Sequence, residues 1–336
     1  MTTNPLRLRF MDPSTGRFTT LDPFAGDMQD PLSLNKYLYT QADPINGADP
    51  TGQYDEGGHF WTTYMVALAV HQSVTQTDRD AAFKLAYYSQ LPDEDPAYEA
   101  ITVFNKSLGS EGVLWSDWRY QVFYYLHALT GGTTDTAKRN QNALAQLVTN
   151  TASPVWERGF LIHALADSYS HVDRAGRPFG PWIGHGLAGH APDFTNTNWN
   201  NFGAYVLALY RALGGQDPEN NTRLWYVIKA GSRKGSDQTL EAVAKTSQFG
   251  YPYTYVPGAD IGQKGAMIDE AGFESPSPWD VENTLFPLIA KAYGEPLLHD
   301  PGEATFIRLF GHQPGDPIQP AQGLGGGDIF DEMADL

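Results

Sequence analysis

The chain has 336 residues, a formal net charge of -17 and no cysteine. So acidic a chain lacks the lysine and arginine excess that neutralises phosphates, which argues against a protein that binds a nucleic-acid backbone. Without cysteine, disulfides and thiolate metal sites are excluded, and any zinc would have to be held by histidine, aspartate or glutamate. A small phosphoester substrate remains compatible with this charge, because bound metal ions can supply local positive charge.

The first residues, 1–53, are unlike the rest of the chain. They are dense in Asp-Pro turn signals, and short alternating stretches at 6–10 and 37–39 lie between these turns. This pattern predicts a small β-rich segment. The N-terminus has no basic start followed by an apolar stretch, so we expect no signal peptide.

A set of motifs in this segment resembles the end of an RHS repeat core. In chain order they are RFMDPSTGRF at 9–18, DP at 22–23, LNKYLY at 34–39, DP at 43–44 and DPTG at 49–52. The resemblance covers nearly all of residues 7–52. It implies that the segment plugs a large β-shell, and that the chain is cut after the last motif to release a C-terminal toxin.

The same resemblance assigns the two cleavage aspartates to Asp22 and Asp49. The spacing between them is longer than is usual in the family, and Gln53 stands where leucine is usual. The alternative is that these aspartates are turn residues only. A protein of this kind would be a secreted effector of bacterial competition, delivered with its RHS shell by a specialised secretion system and matched by a cognate immunity protein.

Residues 54–312 are expected to form a mainly α-helical domain. After an apolar helix at 60–70, a second helix is predicted to start at a cap on Thr77 or Asp78 and to end before Pro92. Further helices are predicted at 118–129, 137–148, 155–171, 199–213, 224–230, 237–246 and 280–292. The glycine-rich residues 313–336 are expected to be a flexible tail.

The most informative motif is the spacing of His163, Asp167 and His171. Steps of four along a helix put all three on one face, where histidine and carboxylate can hold a metal ion. The alternative is a surface ion pair of His163 with Asp167. The same face is otherwise apolar, however, and buried ionisable groups are costly unless they are paired or metal-bound. Further candidate ligands follow at His185, His190 and Asp193.

These residues resemble the zinc-dependent phospholipase C superfamily, whose fold also serves single-strand nucleases. The supporting motifs are HFWTTY at 59–64, SQLPD at 89–93, the histidine at 127, HALADSYSH at 163–171 and the Gly-His at 184–185. The resemblance covers about residues 57–200. It implies a helical fold with two or three zinc ions held by His59, Asp93, His127, His163, Asp167, His171 and His185.

In that resemblance Asp167 would bridge two ions, and Asp93 would be a ligand that also orients or deprotonates the attacking water. Two departures stand out. The family's bacterial lipases use a free N-terminal tryptophan amine as a ligand, whereas here the chain continues from the RHS-like segment. The usual acid four residues after the last histidine is Gly189, so His190 or Asp193 would have to replace it.

Three functions are compatible with these patterns. The first is a phospholipase C-like toxin that hydrolyses phosphodiesters, with phospholipid favoured over nucleic acid as substrate. The second is a nuclease that uses the same zinc site, although DNA binding is disfavoured by the acidic charge. The third is a non-enzymatic effector in which metal only stabilises a helical domain.

Overall fold

The computed structural model describes residues 4–6, 9–12, 17–18, 57–95, 97–100, 103, 117–181, 195, 199–233, 236–251 and 276–298. The described part is mainly α-helical, as the sequence predicts. Its α-helices are α1 (Thr62–Ala69), α2 (Gln76–Glu94), α3 (Asp117–Gln121), α4 (Thr134–Val148), α5 (Val155–Ser170), α6 (Trp199–Ala212), α7 (Thr222–Gly231), α8 (Ser236–Ala244), α9 (Pro278–Asp280) and α10 (Phe286–Tyr293). No helix among these residues is long and apolar enough to cross a bilayer.

Three short strands precede the helices: β1 (Asn4–Leu6), β2 (Arg9–Asp12) and β3 (Arg17–Phe18). They form an antiparallel sheet in the order β1-β2-β3, with Leu6 paired to Arg9. The alternating stretch at 6–10 therefore includes the end of β1 and the start of β2. Most of the RHS-like segment, including Asp22 and Asp49, lies outside the described residues, and its β-rich architecture stays a prediction.

The start and end of α2 differ from the prediction. Thr75, rather than Thr77 or Asp78, is the N-cap, because its hydroxyl accepts from the Asp78 amide while the Asp78 carboxylate accepts from the Thr75 amide. The helix also continues through Pro92 to Glu94. A proline in the last turn removes only one backbone hydrogen bond there, so the helix can persist. Asp93 is consequently held on a helical turn.

The helix α5 lies at the centre of the described core. From Gly159 to Ser168 its residues are buried on every side, with Phe160, Leu161, Ile162, Ala164 and Leu165 fully shielded from solvent. A helix that is apolar on every side is typical of a core position. Its polar residues are therefore buried together with the apolar ones.

Helices α2 and α5 approach each other very closely at Gly159. A Cβ atom built on Gly159 would lie 2.2 Å from Cβ of Tyr88. Only a residue without a side chain fits this contact. Because Gly159 is one turn before His163 and Tyr88 directly precedes Ser89, the contact sets the distance between the two helices beside the candidate ligands.

Candidate metal centre

Four separate segments bring histidine and aspartate side chains to one buried place. His59 lies in a π-helical turn (Gly57–Trp61) that leads into α1, and Asp93 lies in the last turn of α2. His127 directly follows a second π-helical turn (Val122–Leu126) after α3. His163 and Asp167 lie one turn apart on α5. Two groups of three, namely His59 with Asp93 and His163, and His127 with His163 and Asp167, have ligand atoms within 4.8 Å of one another.

The tightest group is a triangle of three ligand atoms. Oδ2 of Asp167 lies 3.2 Å from Nδ1 of His127 and 3.2 Å from Nε2 of His163. The two ring nitrogens are 3.3 Å apart. Zinc bonds of about 2.0–2.1 Å place tetrahedral ligand atoms roughly 3.3–3.4 Å from one another. The triangle therefore has the dimensions of one face of a tetrahedral zinc site.

The other carboxylate oxygen of Asp167 faces His59. Oδ1 of Asp167 lies 3.2 Å from Nε2 of His59, and Oδ2 of Asp93 lies 3.4 Å from the same nitrogen. Asp93 also reaches the first triangle, since its Oδ1 is 3.7 Å from Nε2 of His163 and 3.8 Å from Nδ1 of His127. Asp93 and Asp167 thus each have one carboxylate oxygen near His59 and the other near His127 and His163. This is the geometry that a bridging ligand needs.

Backbone carbonyls orient two of the imidazole rings. Nδ1 of His163 donates to the carbonyl of Ser89 over 3.0 Å, and Nε2 of His127 donates to the carbonyl of Tyr98 over 3.0 Å. These bonds fix the tautomers so that the other nitrogen of each ring faces Asp167. Metal-ligating histidines almost always donate their second N–H in this way. The His59 ring stacks on the His163 ring with centroids 4.1 Å apart.

His171 lies beside the triangle but not on the helix as predicted. The helix α5 ends at Ser170, and His171 is its C-cap, whose amide still bonds to the carbonyl of Asp167. Its Nδ1 donates to the carbonyl of His127 over 2.8 Å and lies 3.7 Å from Oδ2 of Asp167. Since Nδ1 is used in this bond, His171 could hold a metal only through Nε2.

The protonation states of Asp167, His163 and His127 decide whether the centre can bind a cation. Burial on its own would raise the pKa of the Asp167 carboxyl, but the neighbouring His171 and His163 hold that pKa well below its usual range. Burial and the charge of His59 lower the pKa of His163. For His127, the hydrogen bond and charge of Asp167 outweigh burial and raise the pKa. An ionised Asp167 beside a neutral His163 is the protonation state that metal binding requires, whereas His127 would have to give up its proton to bind an ion.

Solvent reaches this centre unevenly. The side chain of Asp93 is 15% exposed, compared with 2% for Asp167 and 0% for His59 and His163. Among the described candidate ligands, Asp93 is therefore the best placed to contact a substrate or water that enters from solvent.

The backbone is irregular at two of the candidate ligands. π-Helical turns are rare and occur frequently at functional sites. Of the three in the described residues, one contains His59 and one directly precedes His127, while the third (Val281–Leu285) joins α9 to α10. Ala128 has a φ of 52°, a conformation that costs a residue other than glycine of order 1–3 kcal/mol. This irregular turn replaces the end of the predicted helix at 118–129, and it turns the His127 ring toward Asp167.

Sequence reasoning did not identify several residues that position the ligands. The carbonyls of Ser89 and Tyr98 and the close contact at Gly159 were not predicted. A glycine one turn before His163 on an apolar helix was an available signal for the last of these. The predicted ligands His185, His190 and Asp193 lie outside the described residues.

Comparison with known proteins does not assign this chain to a family. No family model, curated protein or solved structure matches it. The two resemblances carried by the sequence motifs therefore enter the functional argument as proposals.

Proposed function

We propose that the chain is a zinc-dependent hydrolase of phosphodiesters, most similar in action to phospholipase C, and that it is the toxin of an RHS-type effector. The observation that carries this proposal is the triangle of His127, His163 and Asp167, with its separations of 3.2–3.3 Å. If these three side chains served only to hydrogen-bond one another, they would not need three ligand atoms at tetrahedral spacing deep in an apolar core.

The ligand set favours zinc over the other common divalent ions. Magnesium and calcium prefer oxygen ligands, whereas imidazole nitrogen with carboxylate oxygen suits zinc. Nδ1 of His163 is bonded to Ser89, so this ring can coordinate one ion only, on the His127 side. A second ion would use His59, Asp93 and Oδ1 of Asp167, and Asp167 would bridge the two. A third would require His171 together with His185, His190 or Asp193.

Bound zinc would lower the pKa of water and offset the charge of a phosphoester in the transition state. The chain's own residues have separate tasks in this proposal. His127 and His163 hold their rings in fixed tautomers, and Asp167 keeps its charge within the apolar core. Asp93, which reaches solvent, orients the attacking water and accepts its proton.

The charge of the chain bears on the choice of substrate. At a net charge of -17, a long polyanion would be repelled over most of its length. A phospholipid presents a single phosphodiester, which the metal centre alone can neutralise. This favours a phospholipid substrate over single-stranded nucleic acid.

The biological setting rests on the RHS-like motifs at 7–52. In this proposal the segment belongs to the end of an RHS shell, the domain is delivered to a competing bacterium by a secretion system, and a cognate immunity protein protects the producer. Cleavage at Asp22 and Asp49 would separate the toxin from its shell.

The test is a metal analysis of the purified full chain together with a substrate panel. We expect two or three zinc ions per chain, and release of phosphorylated headgroup from phosphatidylcholine vesicles. The matched panel contains single-stranded DNA and RNA, and the negative control is D167N. Release of nucleotides instead of headgroup would favour the nuclease. Zinc with toxicity but no hydrolysis would favour a non-enzymatic effector, and a chain that binds no zinc would overturn the proposal.

A further inference from the structure

The orientation of His127 depends on a backbone carbonyl outside the candidate ligands. Nε2 of His127 donates to the carbonyl of Tyr98, which leaves Nδ1 facing Asp167. A carbonyl can hold a ring in one orientation only if its own peptide group is fixed. The contacts that fix the carbonyl of Tyr98 are therefore part of what builds the centre.

On the amide side, the peptide groups around Tyr98 are bonded to the end of α2. The amides of Tyr98 and Glu99 both donate to the carbonyl of Asp95, over 2.9 and 2.8 Å. The amide of Asp95 in turn donates to the carbonyl of Leu91 over 2.9 Å, in the last turn of α2. Because the Glu99 amide and the Tyr98 carbonyl belong to one peptide group, these bonds tie that group to the helix that carries Asp93.

The side chain of Tyr98 joins this peptide group to the segment 276–298. The residue is fully buried, and its ring packs edge-on against Phe160 of α5, with ring centroids 5.2 Å apart. Its hydroxyl donates to the carbonyl of Pro276 over 2.7 Å. Pro276 directly precedes Ser277, whose capping box fixes the start of α9. The hydroxyl of Tyr98 is therefore bonded to a defined point of the backbone.

The other end of the segment 276–298 contacts the turn that leads to His127. The hydroxyl of Tyr125, two residues before His127, accepts from the amide of Leu298 over 2.9 Å. Nε2 of Gln121, at the end of α3, donates to the carbonyl of Leu298, also over 2.9 Å. One end of the segment thus contacts the residue that orients the His127 ring, and the other end contacts the chain that carries His127.

We propose that Tyr98 is a positioning residue for His127, and that the segment 276–298 is a structural part of the metal centre. The bond from its hydroxyl to Pro276 holds Tyr98 in place, and the Tyr98 carbonyl then holds Nε2 of His127. Nδ1 of the same ring stays at ligand distance from Asp167. This inference rests on the zinc centre of the proposed function but not on its substrate.

The test compares Y98F with Y210F in the full chain. Tyr210 is also buried, and its hydroxyl donates to the carbonyl of Gln216 over 2.6 Å, in a part of the chain that holds no candidate ligand. Both changes keep the ring and remove one hydroxyl, so both should lower the unfolding temperature of the metal-free protein to a similar extent. Zinc affinity is measured below that temperature by competition with a chelating dye. We expect Y98F to bind zinc about tenfold more weakly, whereas Y210F binds as the wild type does.

Two further measurements separate positioning from packing. The visible absorption of the Co²⁺-loaded proteins reports ligand geometry and should change in Y98F only. It needs only the metal-loaded protein, so it also decides the case if metal-free Y98F does not stay folded. 4-Aminophenylalanine at position 98 restores a donor in place of the hydroxyl, and we expect it to recover most of the lost affinity.

The outcomes distinguish the role of Tyr98 from the centre itself. Equal zinc affinity in Y98F and Y210F, an unchanged Co²⁺ spectrum in Y98F, or no recovery with the restored donor would each overturn the positioning role while the zinc centre stands. If the wild type binds no zinc, the centre and this inference are both overturned. Zinc binding without hydrolysis would overturn the proposed activity alone, and the comparison of Y98F with Y210F would still decide the role of Tyr98.

Discussion

Two acidic side chains that are withdrawn from water have opposite surroundings in this molecule. Asp167 is buried, and His171 and His163 beside it hold the pKa of its carboxyl well below the usual range. Glu295, which follows α10, is about half-buried and accepts a hydrogen bond of 3.2 Å from the hydroxyl of Tyr124. Burial raises the pKa of Glu295, and the hydrogen bond from Tyr124 offsets this only in part.

The difference shows what marks a carboxylate as a candidate ligand. Burial alone favours the neutral acid, as at Glu295, and a neutral acid is a poor ligand for a cation. At Asp167 a group of imidazoles reverses this effect and keeps the negative charge in the core. The comparison predicts that changes at Asp167 alter metal binding, whereas the matching change at Glu295 alters only stability.

The largest expected effect is that of D167N. Asparagine keeps the shape of the side chain but removes the charge and one of the two anionic oxygens, so no ion can be bridged. We expect zinc content and phosphodiester hydrolysis to fall to background, measured by elemental analysis and headgroup release. The matched control is E295Q, the same change of acid to amide, which should retain both. Equal zinc content in D167N and the wild type would remove Asp167 from the centre.

Removal of zinc is expected to have the next largest effect. A ligand that binds only the folded state stabilises it by about 2.7 kcal/mol at a hundredfold excess over its dissociation constant. For a domain of this size that corresponds to roughly 5–10 °C in unfolding temperature. We expect a chelator to lower the unfolding temperature of the wild type and E295Q by this amount and that of D167N hardly at all. An equal shift in all three proteins would show that the chelator acts elsewhere.

The helical class of the domain followed from the sequence because apolar periodicity and caps are local signals. The fixed spacing of His163 and Asp167 likewise placed them on one helix face. The irregular turn at His127 had no such signal, because apolar periodicity does not separate a π-helical turn from an α-helical one and alanine is not a residue type that favours a positive φ. The capping box at Thr75 was readable in principle, but the neighbouring Thr77 and Asp78 offered competing caps.

Contacts between helices were the least predictable part of the site. The bond from His163 to the carbonyl of Ser89 joins residues far apart in the chain. It requires α2 and α5 to approach at Gly159, and nothing in a single sequence states which helix a glycine faces. The sequence therefore indicated which residues are candidate ligands, whereas the helix packing that sets the distances between them was not predictable.

A substitution at Gly159 tests this packing of α2 against α5 without altering a candidate ligand. In G159A the new Cβ would meet Tyr88 at 2.2 Å, so α2 and α5 must separate. We expect a loss of about 1–3 kcal/mol of unfolding free energy, as for other overpacked cores, together with weaker zinc binding because the bond from His163 to Ser89 lengthens. Denaturant titration and chelator competition measure the two effects.

The control for this change is G203A on α6, where a new Cβ would meet only Ile228 at 3.8 Å. Alanine there should stabilise the helix by up to about 1 kcal/mol and leave zinc binding unchanged. Unchanged zinc affinity in G159A, despite the lost stability, would mean that the ligands do not depend on this helix contact.

The smallest expected effect is the pH dependence of E295Q. The pKa of Glu295 in the folded protein is raised above its ordinary value of 4.5, so the folded state favours the protonated acid. That contribution to stability is complete below pH 4.5 and is lost as the pH rises through the folded-state pKa.

Glutamine resembles the protonated acid at every pH and can still accept from Tyr124. We therefore expect E295Q to unfold at a slightly higher temperature than the wild type at pH 7, and at the same temperature near pH 4. If E295Q instead unfolds at a lower temperature than the wild type at pH 7, Glu295 is stabilised as an anion, as Asp167 is. The two acids would then not differ in the way proposed.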